Sequence, residues 1–281
     1  MLTVLTQGRR VAPVITSPTQ LHDYGPWGFV TGATEGIGRA IAVELGRAGF
    51  NLVLVARRPA ELDTVAKSLS NQFEVETLCL AEDLAEPAAV ERIVKRTAHL
   101  DIGLAVMAAG FGSVGEFVQS DLNTELDMIA VNVSAVMALA HLFARRLVAR
   151  GRGGLVLFSS IVGWQGTPLQ ANYAATKAYV QVFAEGLHAE LSDDGVHVLA
   201  VAPGPVRSGF AVRAGMTMRA AAEPEGVARQ ALAALGRRAT LIPGVGTKTR
   251  TYALWSLPRS ARSRIMRSVI NGMRNEPEPT R

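Results

Sequence analysis

Short uninterrupted apolar runs alternate with stretches of helical periodicity along most of the chain. The runs "GFVT", "NLVLVA", "IGLAVM", "GLVLF" and "VHVLAV" have the length of buried strands. Between the first two runs, Ile37, Ile41 and Leu45 recur at the spacing of one helix face. Because the strands are apolar on both faces and alternate with helices, the pattern predicts an α/β fold with a parallel sheet covered by helices on both sides.

The same pattern divides the chain into three parts. Residues 1–26 lack periodicity and contain three prolines, so we expect an N-terminal extension there. We expect a single domain over residues 27–246 and a basic, helical C-terminal extension over residues 247–281. Within the domain, helices are predicted near residues 121–150, 171–192 and 224–236, and a last strand around "ATLIPG".

The composition is typical of a globular protein with one large core. The 281 residues are 48% hydrophobic and 19% charged. The single cysteine, Cys79, cannot form an internal disulfide, which favours a reducing compartment. The first residues lack the apolar run of a signal peptide, and by inspection no stretch has the length of a membrane span. We therefore expect a cytoplasmic location.

The net charge of +5 is concentrated at the C-terminus. Residues 248–281 hold eight basic and two acidic side chains, which leaves 21 basic and 22 acidic side chains in the rest of the chain. A nearly neutral body gives no indication of nucleic-acid binding, and we expect no nucleic-acid partner and no metal.

A glycine-rich segment, "TGATEGIG", lies between the first predicted strand and the first helix. Glycines are needed where a backbone approaches a pyrophosphate at a helix N-terminus, although a plain tight turn can use them too. The candidate cofactor contacts here are Gly32, Thr34, Gly36, Ile37 and Gly38.

With this segment, the chain resembles the short-chain dehydrogenase/reductase family, whose cofactor motif has the form TGxxxGxG. The resemblance covers about residues 27–244, and "YGPWGFVTGATEGIG" is similar to the 3-oxoacyl-CoA and steroid reductase branch. It implies a Rossmann-type doubly wound fold and a nicotinamide dinucleotide cofactor.

The end of the second strand favours NADP over NAD. Arg57 and Arg58 stand where an acidic residue would accept hydrogen bonds from the NAD ribose, and arginine suits a 2′-phosphate. Alternatively, the two arginines only solvate the strand end. The resemblance also implies contacts of Asp83 and Leu84, in "EDL", near the adenine ring.

Two further loops match the family in part. The family's NNAG is "MAAG" here, so the asparagines are missing, while Ala109 and Gly110 keep the possibility of close backbone approach. The segment "PGPVRS" matches PGxVxT, with a serine in place of threonine. It implies cofactor contacts, including a hydroxyl for the nicotinamide carboxamide, from Pro203, Gly204, Val206 and Ser208.

Tyr173 and Lys177 stand four residues apart and therefore share one helix face. An adjacent ammonium favours the phenolate, so we expect Lys177 to lower the pKa of Tyr173 and make it a proton donor or acceptor. A structural pair of this kind is also common on helices.

The resemblance assigns roles around this pair. Ser160, thirteen residues before Tyr173, would bind the substrate carbonyl, whereas the rival Ser159 is one residue too far. Asn132 would support a proton relay with Lys177. Tyr173 and Lys177 would also contact the cofactor.

These residues predict an NADP-dependent carbonyl reductase or alcohol dehydrogenase, with NAD as the less favoured cofactor. The few charges in "GFAVRAGMTMRAAAEPEG", together with Phe111 and Trp164, indicate an apolar small-molecule substrate, acyl or steroid-like. The long helices also predict a homodimer or homotetramer, as in the family. The alternatives are a non-catalytic cofactor-sensing or scaffold protein and an epimerase or dehydratase, although the region after Ser208 is short for the latter.

The C-terminal extension contains an amphipathic pattern. Pro258 can start a helix in which Ala261, Ile265, Val269 and Met273 fall on one row, with arginines on the other side. Such a helix can pack on its own body or on a neighbouring subunit, lie weakly on an anionic membrane surface, or meet an anionic substrate such as an acyl-CoA.

Overall fold

The computed structural model describes residues 21, 23–218 and 220–274. Its strands are β1 (Trp27–Thr31), β2 (Asn51–Ala56), β3 (Thr77–Ala81), β4 (Ile102–Met107), β5 (Gly153–Phe158), β6 (Val196–Val201) and β7 (Thr240–Leu241). All pair in parallel, in the order β3-β2-β1-β4-β5-β6-β7. The strand order changes direction at β1 and β4, which is where doubly wound sheets bind ligands.

Helices cover both faces of the sheet. They are α1 (Gly36–Arg47), α2 (Pro59–Phe73), α3 (Pro87–Thr97), α4 (Leu122–Ile129), α5 (Ala135–Arg150), α6 (Ala171–Leu191), α7 (Gly209–Arg213), α8 (Pro224–Ala234), α9 (Val245–Trp255) and α10 (Arg259–Asn271). Helices α1, α2 and α8 pack on one face, and α3, α5 and α6 pack on the other. Within β1, Phe29 faces the second group and Val30 faces the first, as the side-chain period of a strand requires. The predicted Rossmann-type fold is confirmed.

The N-terminal boundary of the body lies earlier than predicted. Leu21 and Tyr24 are buried in the core. The hydroxyl of Tyr24 is 2.8 Å from Nδ1 of His197 in β6, and its carbonyl oxygen accepts a hydrogen bond of 2.7 Å from Arg150. The end of the proposed extension is therefore part of the body, while residues 1–20 and 22 lie outside the described residues.

A continuous helix runs from Leu122 to Arg150 through α4, a π-helical turn over Ala130–Ser134, and α5. By length and composition alone this helix could cross a membrane, contrary to our reading of the sequence. In the fold, however, one side of α5 is buried against the sheet through Leu139, Phe143 and Leu147.

The C-terminal extension packs on the body. Helix α9 already begins at Val245, so the predicted boundary after residue 246 cuts through it. In α10, Met266 and Ile270 are buried beside Tyr173, whereas Ile265 and Val269, from the predicted apolar row, remain 41% and 40% exposed. These contacts favour packing on the body; contact with a membrane stays a prediction.

An exposed apolar surface on α4 and α6 leads to a prediction about assembly. Leu122 and Leu126 of α4 and Val182 of α6 are 66%, 53% and 69% exposed, and the two helices contact each other. Because exposed apolar surface favours association and most homo-oligomers are symmetric, we predict a homo-oligomer that the double substitution Leu126→Glu and Val182→Glu dissociates.

Multi-angle light scattering at micromolar concentration measures the molar mass of the unmodified protein and of the double variant. Val245→Glu, which places the same charge on an exposed valine of α9, should leave the assembly intact. A monomeric unmodified protein, or an unchanged mass in the double variant, would contradict the prediction.

Candidate active site

One continuous cavity of about 900 Å³ opens at the carboxyl ends of the strands. Every residue expected to contact a cofactor lines it, as do Ser160 and Tyr173; Asn132 does not. The fold therefore gathers segments from β1, β2, β4, β5 and β6 that lie up to 176 positions apart, from Gly32 to Ser208.

The glycine-rich segment is shaped for close backbone approach. Gly36, the first residue of α1, has a φ of +54°, and a Cβ there would lie 2.8 Å from Cβ of Ser208. A Cβ on Gly38 would collide with the carbonyl oxygen of Gly32. No side chain caps the start of α1, so its first N–H groups remain available to an anion. These observations fit the pyrophosphate of a dinucleotide cofactor.

The two arginines at the end of β2 reach the cavity but are paired with carboxylates. Arg57 lies 3.9 Å from Asp83. Arg58 lies 2.8 Å from Glu61 and 4.0 Å from Glu35, a residue of the glycine-rich segment. A 2′-phosphate would therefore compete with these carboxylates for the guanidinium groups.

A second ion pair connects the two cofactor loops. Glu35 also pairs with Arg213 of α7, on the segment that follows Ser208. Neither Glu35 nor Arg213 was among the residues selected from the sequence. A carboxylate inside a glycine motif was the available signal for Glu35, whereas the position of Arg213 depends on the fold of a loop without periodicity.

Lys177 is fixed at the end of β5. Its Nζ donates a hydrogen bond of 2.9 Å to the carbonyl oxygen of Phe158, and its own carbonyl oxygen accepts one of 2.8 Å from Oγ of Ser159. The hydroxyl of Ser159 is thus turned to the backbone of α6. The neighbouring Ser160 lines the cavity beside Tyr173, and its Oγ donates to the carbonyl oxygen of Pro203 at 3.5 Å. This geometry favours Ser160 over Ser159, and its catalytic role stays a prediction.

Burial dominates the protonation of the Tyr173–Lys177 pair. Burial raises the pKa of Tyr173 to about 12, and the nearby hydroxyl of Ser160 opposes this rise. Burial also lowers the pKa of Lys177 to about 8. The predicted lowering of the tyrosine pKa by Lys177 is therefore wrong for this structure, because the desolvation of both groups outweighs their proximity.

Asn132 occupies the π-helical turn and is fully buried. Its Oδ1 accepts a hydrogen bond of 3.1 Å from the Phe111 amide, and its Nδ2 donates to the Phe111 carbonyl and to Oγ1 of Thr176. A Cβ on Gly110 would lie 2.9 Å from Oδ1 of Asn132 and 3.2 Å from Nζ of Lys177. Asn132 thus borders the space next to the lysine, and π-helical turns are frequent at functional sites. Its part in a proton relay stays a prediction.

The loop after β4 is held without the family's asparagines. Oγ1 of Thr31 accepts a hydrogen bond of 3.0 Å from the Ala109 amide, and Asn132 holds Phe111 as described. These bonds tie "MAAG" to β1 on one side and to the long helix on the other.

The substrate side of the cavity is mainly apolar. Phe111 lines it as expected, together with Phe210, Met216 and Met266. Trp164 does not: it packs edge to face on Trp255, with ring centroids 4.8 Å apart, outside this cavity. Its predicted place in the site is therefore wrong, because the packing of α9 against Trp164 is a tertiary contact that the sequence pattern does not specify.

Comparisons with known proteins agree with this geometry. The family model for short chain dehydrogenases matches residues 27–219. The 7beta-hydroxysteroid dehydrogenase of Clostridium sardiniense is 32% identical over 225 residues, which are 79% of this chain and 86% of that protein. The very-long-chain 3-oxoacyl-CoA reductase-A of Danio rerio is 39% identical over 183 residues, 64% of this chain but only 57% of that reductase.

A solved structure is similar over most of its length. The short-chain dehydrogenase from Sphingobium yanoikuyae in complex with NADPH has a TM-score of 0.75 and 32% identity, with 86% of this chain and 95% of that chain covered.

The buried lysine predicts a pH dependence of stability. Its pKa is about 8 in the folded protein and 10.5 ordinarily, so between these values the unfolded chain binds more protons and the free energy of unfolding rises with pH. The slope from one such group approaches about 1.4 kcal/mol per pH unit. Above pH 10 the raised pKa of Tyr173 acts in the opposite direction.

Urea unfolding of the unmodified protein and Lys177→Met between pH 7 and 10 tests this. The stability of the unmodified protein should rise relative to that of the variant by about 1–3 kcal/mol across this range. A difference that stays constant with pH would show that the amine is not desolvated.

Proposed function

Because the chain belongs to the short-chain dehydrogenase family and is similar to steroid dehydrogenases and oxoacyl-CoA reductases, we propose that it is an NADP-dependent oxidoreductase that interconverts a ketone and an alcohol in an apolar substrate. The observation that carries the proposal is the placement of Ser160, Tyr173 and Lys177 in one cavity with the glycine-rich start of α1.

The dinucleotide, when bound, supplies or accepts the hydride. The start of α1 would hold its pyrophosphate, and Arg57 and Arg58 a 2′-phosphate. Gly110 borders the space next to Lys177, and Ser208 lines the same cavity beside Gly36. The hydroxyl of Ser208 would bind the nicotinamide carboxamide.

Tyr173 is suited to donate a proton. Because its pKa is about 12, the hydroxyl stays protonated near neutral pH. In the direction of reduction, the Oη–H bond of Tyr173 breaks and the proton passes to the carbonyl oxygen of the substrate, which becomes the alcohol. The hydroxyl of Ser160 stabilises the negative charge that develops on this oxygen.

Lys177 assists as a positive charge below its pKa of about 8. A cation near the tyrosine stabilises the phenolate left after proton transfer. In the direction of oxidation, the same phenolate accepts the proton of the alcohol.

NADP preference is supported by Arg57 and Arg58 and by the NADPH complex of the Sphingobium yanoikuyae structure. An apolar substrate is supported by the methionine and phenylalanine side chains that line the cavity: Phe111, Phe210, Met216, Met218, Met266 and Met273.

The catalytic role of Tyr173 predicts that Tyr173→Phe lowers kcat for ketone reduction by about 10²- to 10⁴-fold, because only the proton donor is removed. The dissociation constant for NADPH, measured by fluorescence, should change little. Tyr179→Phe, on the same helix but stacked on Phe183, is the matched control and should keep full activity.

Retention of most activity in Tyr173→Phe would favour a structural role for this tyrosine. Binding of NADPH by the unmodified protein without reduction of any ketone would favour a cofactor-sensing role.

Cofactor preference is tested with Arg57→Asp. A charge-assisted bond to the 2′-phosphate predicts a loss of about tenfold or more in kcat/KM for NADPH and a smaller change for NADH. Arg96→Asp makes the same charge change on the exposed surface of α3 and should alter neither. Equal use of NADPH and NADH by the unmodified protein would refute the preference.

A further inference from the structure

Helix α9 turns one face toward the substrate side of the cavity. Thr247, Arg250, Thr251 and Leu254 line the cavity, and their spacing is that of a single helix face. This face begins beside the loop after β6, since a Cβ on Gly204 would lie 2.9 Å from Cγ2 of Thr247.

The loop at Gly204 adjoins the catalytic serine. The carbonyl oxygen of Pro203 accepts hydrogen bonds from the amide of Ile161 at 3.1 Å and from Oγ of Ser160 at 3.5 Å. Arg250 stands one helical turn beyond Thr247, or about 5 Å along the axis. Arg250, Ser160 and Tyr173 line the same cavity, so one ligand in this cavity can contact all three.

The charge of Arg250 is not compensated. Four arginines line the cavity, and Arg57, Arg58 and Arg213 each pair with a carboxylate. Within the part of the chain that the structure describes, Arg250 has no carboxylate partner; its Nε donates to the Gly246 carbonyl oxygen at 3.1 Å. A guanidinium group has five N–H donors, so most of its capacity remains open.

Its own segment of the chain offers no carboxylate either. Residues 245–274 contain seven basic side chains and no Asp or Glu. The wall contributed by α10 and the residues just after it is apolar around Met266, Ile270 and Met273. The cavity thus combines an apolar wall with one open cationic group near its rim.

We propose that Arg250 binds a carboxylate of the substrate, which is therefore an apolar ketone or alcohol with an acidic group remote from the reacting carbon. The planar guanidinium matches a carboxylate in two parallel hydrogen bonds. The proposal rests on the proposed function and names the substrate class for the same site.

The test uses two probes, a polycyclic ketone with a carboxylate side chain and its methyl ester. Binding of each to the NADP-loaded protein is measured by calorimetry, and reduction is measured with NADPH. The unmodified protein should prefer the acid by about ten- to a hundredfold in both measurements. Arg250→Met should lose this preference through weaker binding of the acid, with the ester unchanged, and Arg250→Lys should keep part of it.

Arg267→Met removes an arginine of the same basic segment that does not line the cavity, and should behave as the unmodified protein. Equal affinity of the unmodified protein for acid and ester would overturn the proposal. Two other results would also overturn it. One is that Arg250→Met loses affinity for the acid and the ester equally, and the other is that Arg250→Met loses affinity for NADPH but keeps the preference for the acid.

The carboxylate site and the oxidoreductase activity are refuted by different outcomes. If neither probe is reduced but the acid still binds more tightly in an Arg250-dependent way, the carboxylate site stands and the oxidoreductase proposal fails. If both probes are reduced equally well, the oxidoreductase proposal stands and the carboxylate site fails.

Discussion

Two hydrogen bonds attach helix α6 to the end of β5, and the arrangement of the site depends on them. The amine of Lys177 donates to the carbonyl oxygen of Phe158. The hydroxyl of Ser159, the residue that follows Phe158, donates to the carbonyl oxygen of Lys177. Both bonds are buried and therefore costly to break. Because they fix the register of the helix against the strand, Tyr173, one turn before Lys177, is held in the same cavity as Ser160.

The same attachment explains the protonation of the pair. An amine at this position leaves water and gains a single carbonyl partner, so the charged form loses more solvation than it recovers and its pKa falls. Tyr173 is buried in the same place, and its pKa rises. Together these shifts keep the phenol protonated near neutrality, so the site is set as a proton donor before any substrate binds.

The sequence predicted what local patterns determine and missed what depends on tertiary contacts. The run "NLVLVA" is β2 residue for residue, since a buried parallel strand is a continuous apolar run. The residues of the candidate site were selected from motifs that the chain shares with the family, and the fold brings Ser160, Tyr173 and Lys177 to one cavity. By contrast, the raised pKa of Tyr173, the Glu35–Arg213 ion pair and the burial of Tyr24 beside His197 arise between segments far apart in the chain. The packing of Trp164 against Trp255 could not be predicted either, because it also joins segments that are far apart in the chain.

Transfer of deuterium from the cofactor to a ketone is the most direct test that this cavity carries out hydride chemistry. NADPH deuterated at C4 of the nicotinamide would be incubated with the protein and a set of apolar ketones, and the alcohols would be analysed by mass spectrometry. The account predicts an alcohol with a single deuterium on the former carbonyl carbon, formed in step with oxidation of NADPH. Absence of any labelled alcohol, with the protein folded and NADPH bound, would contradict it.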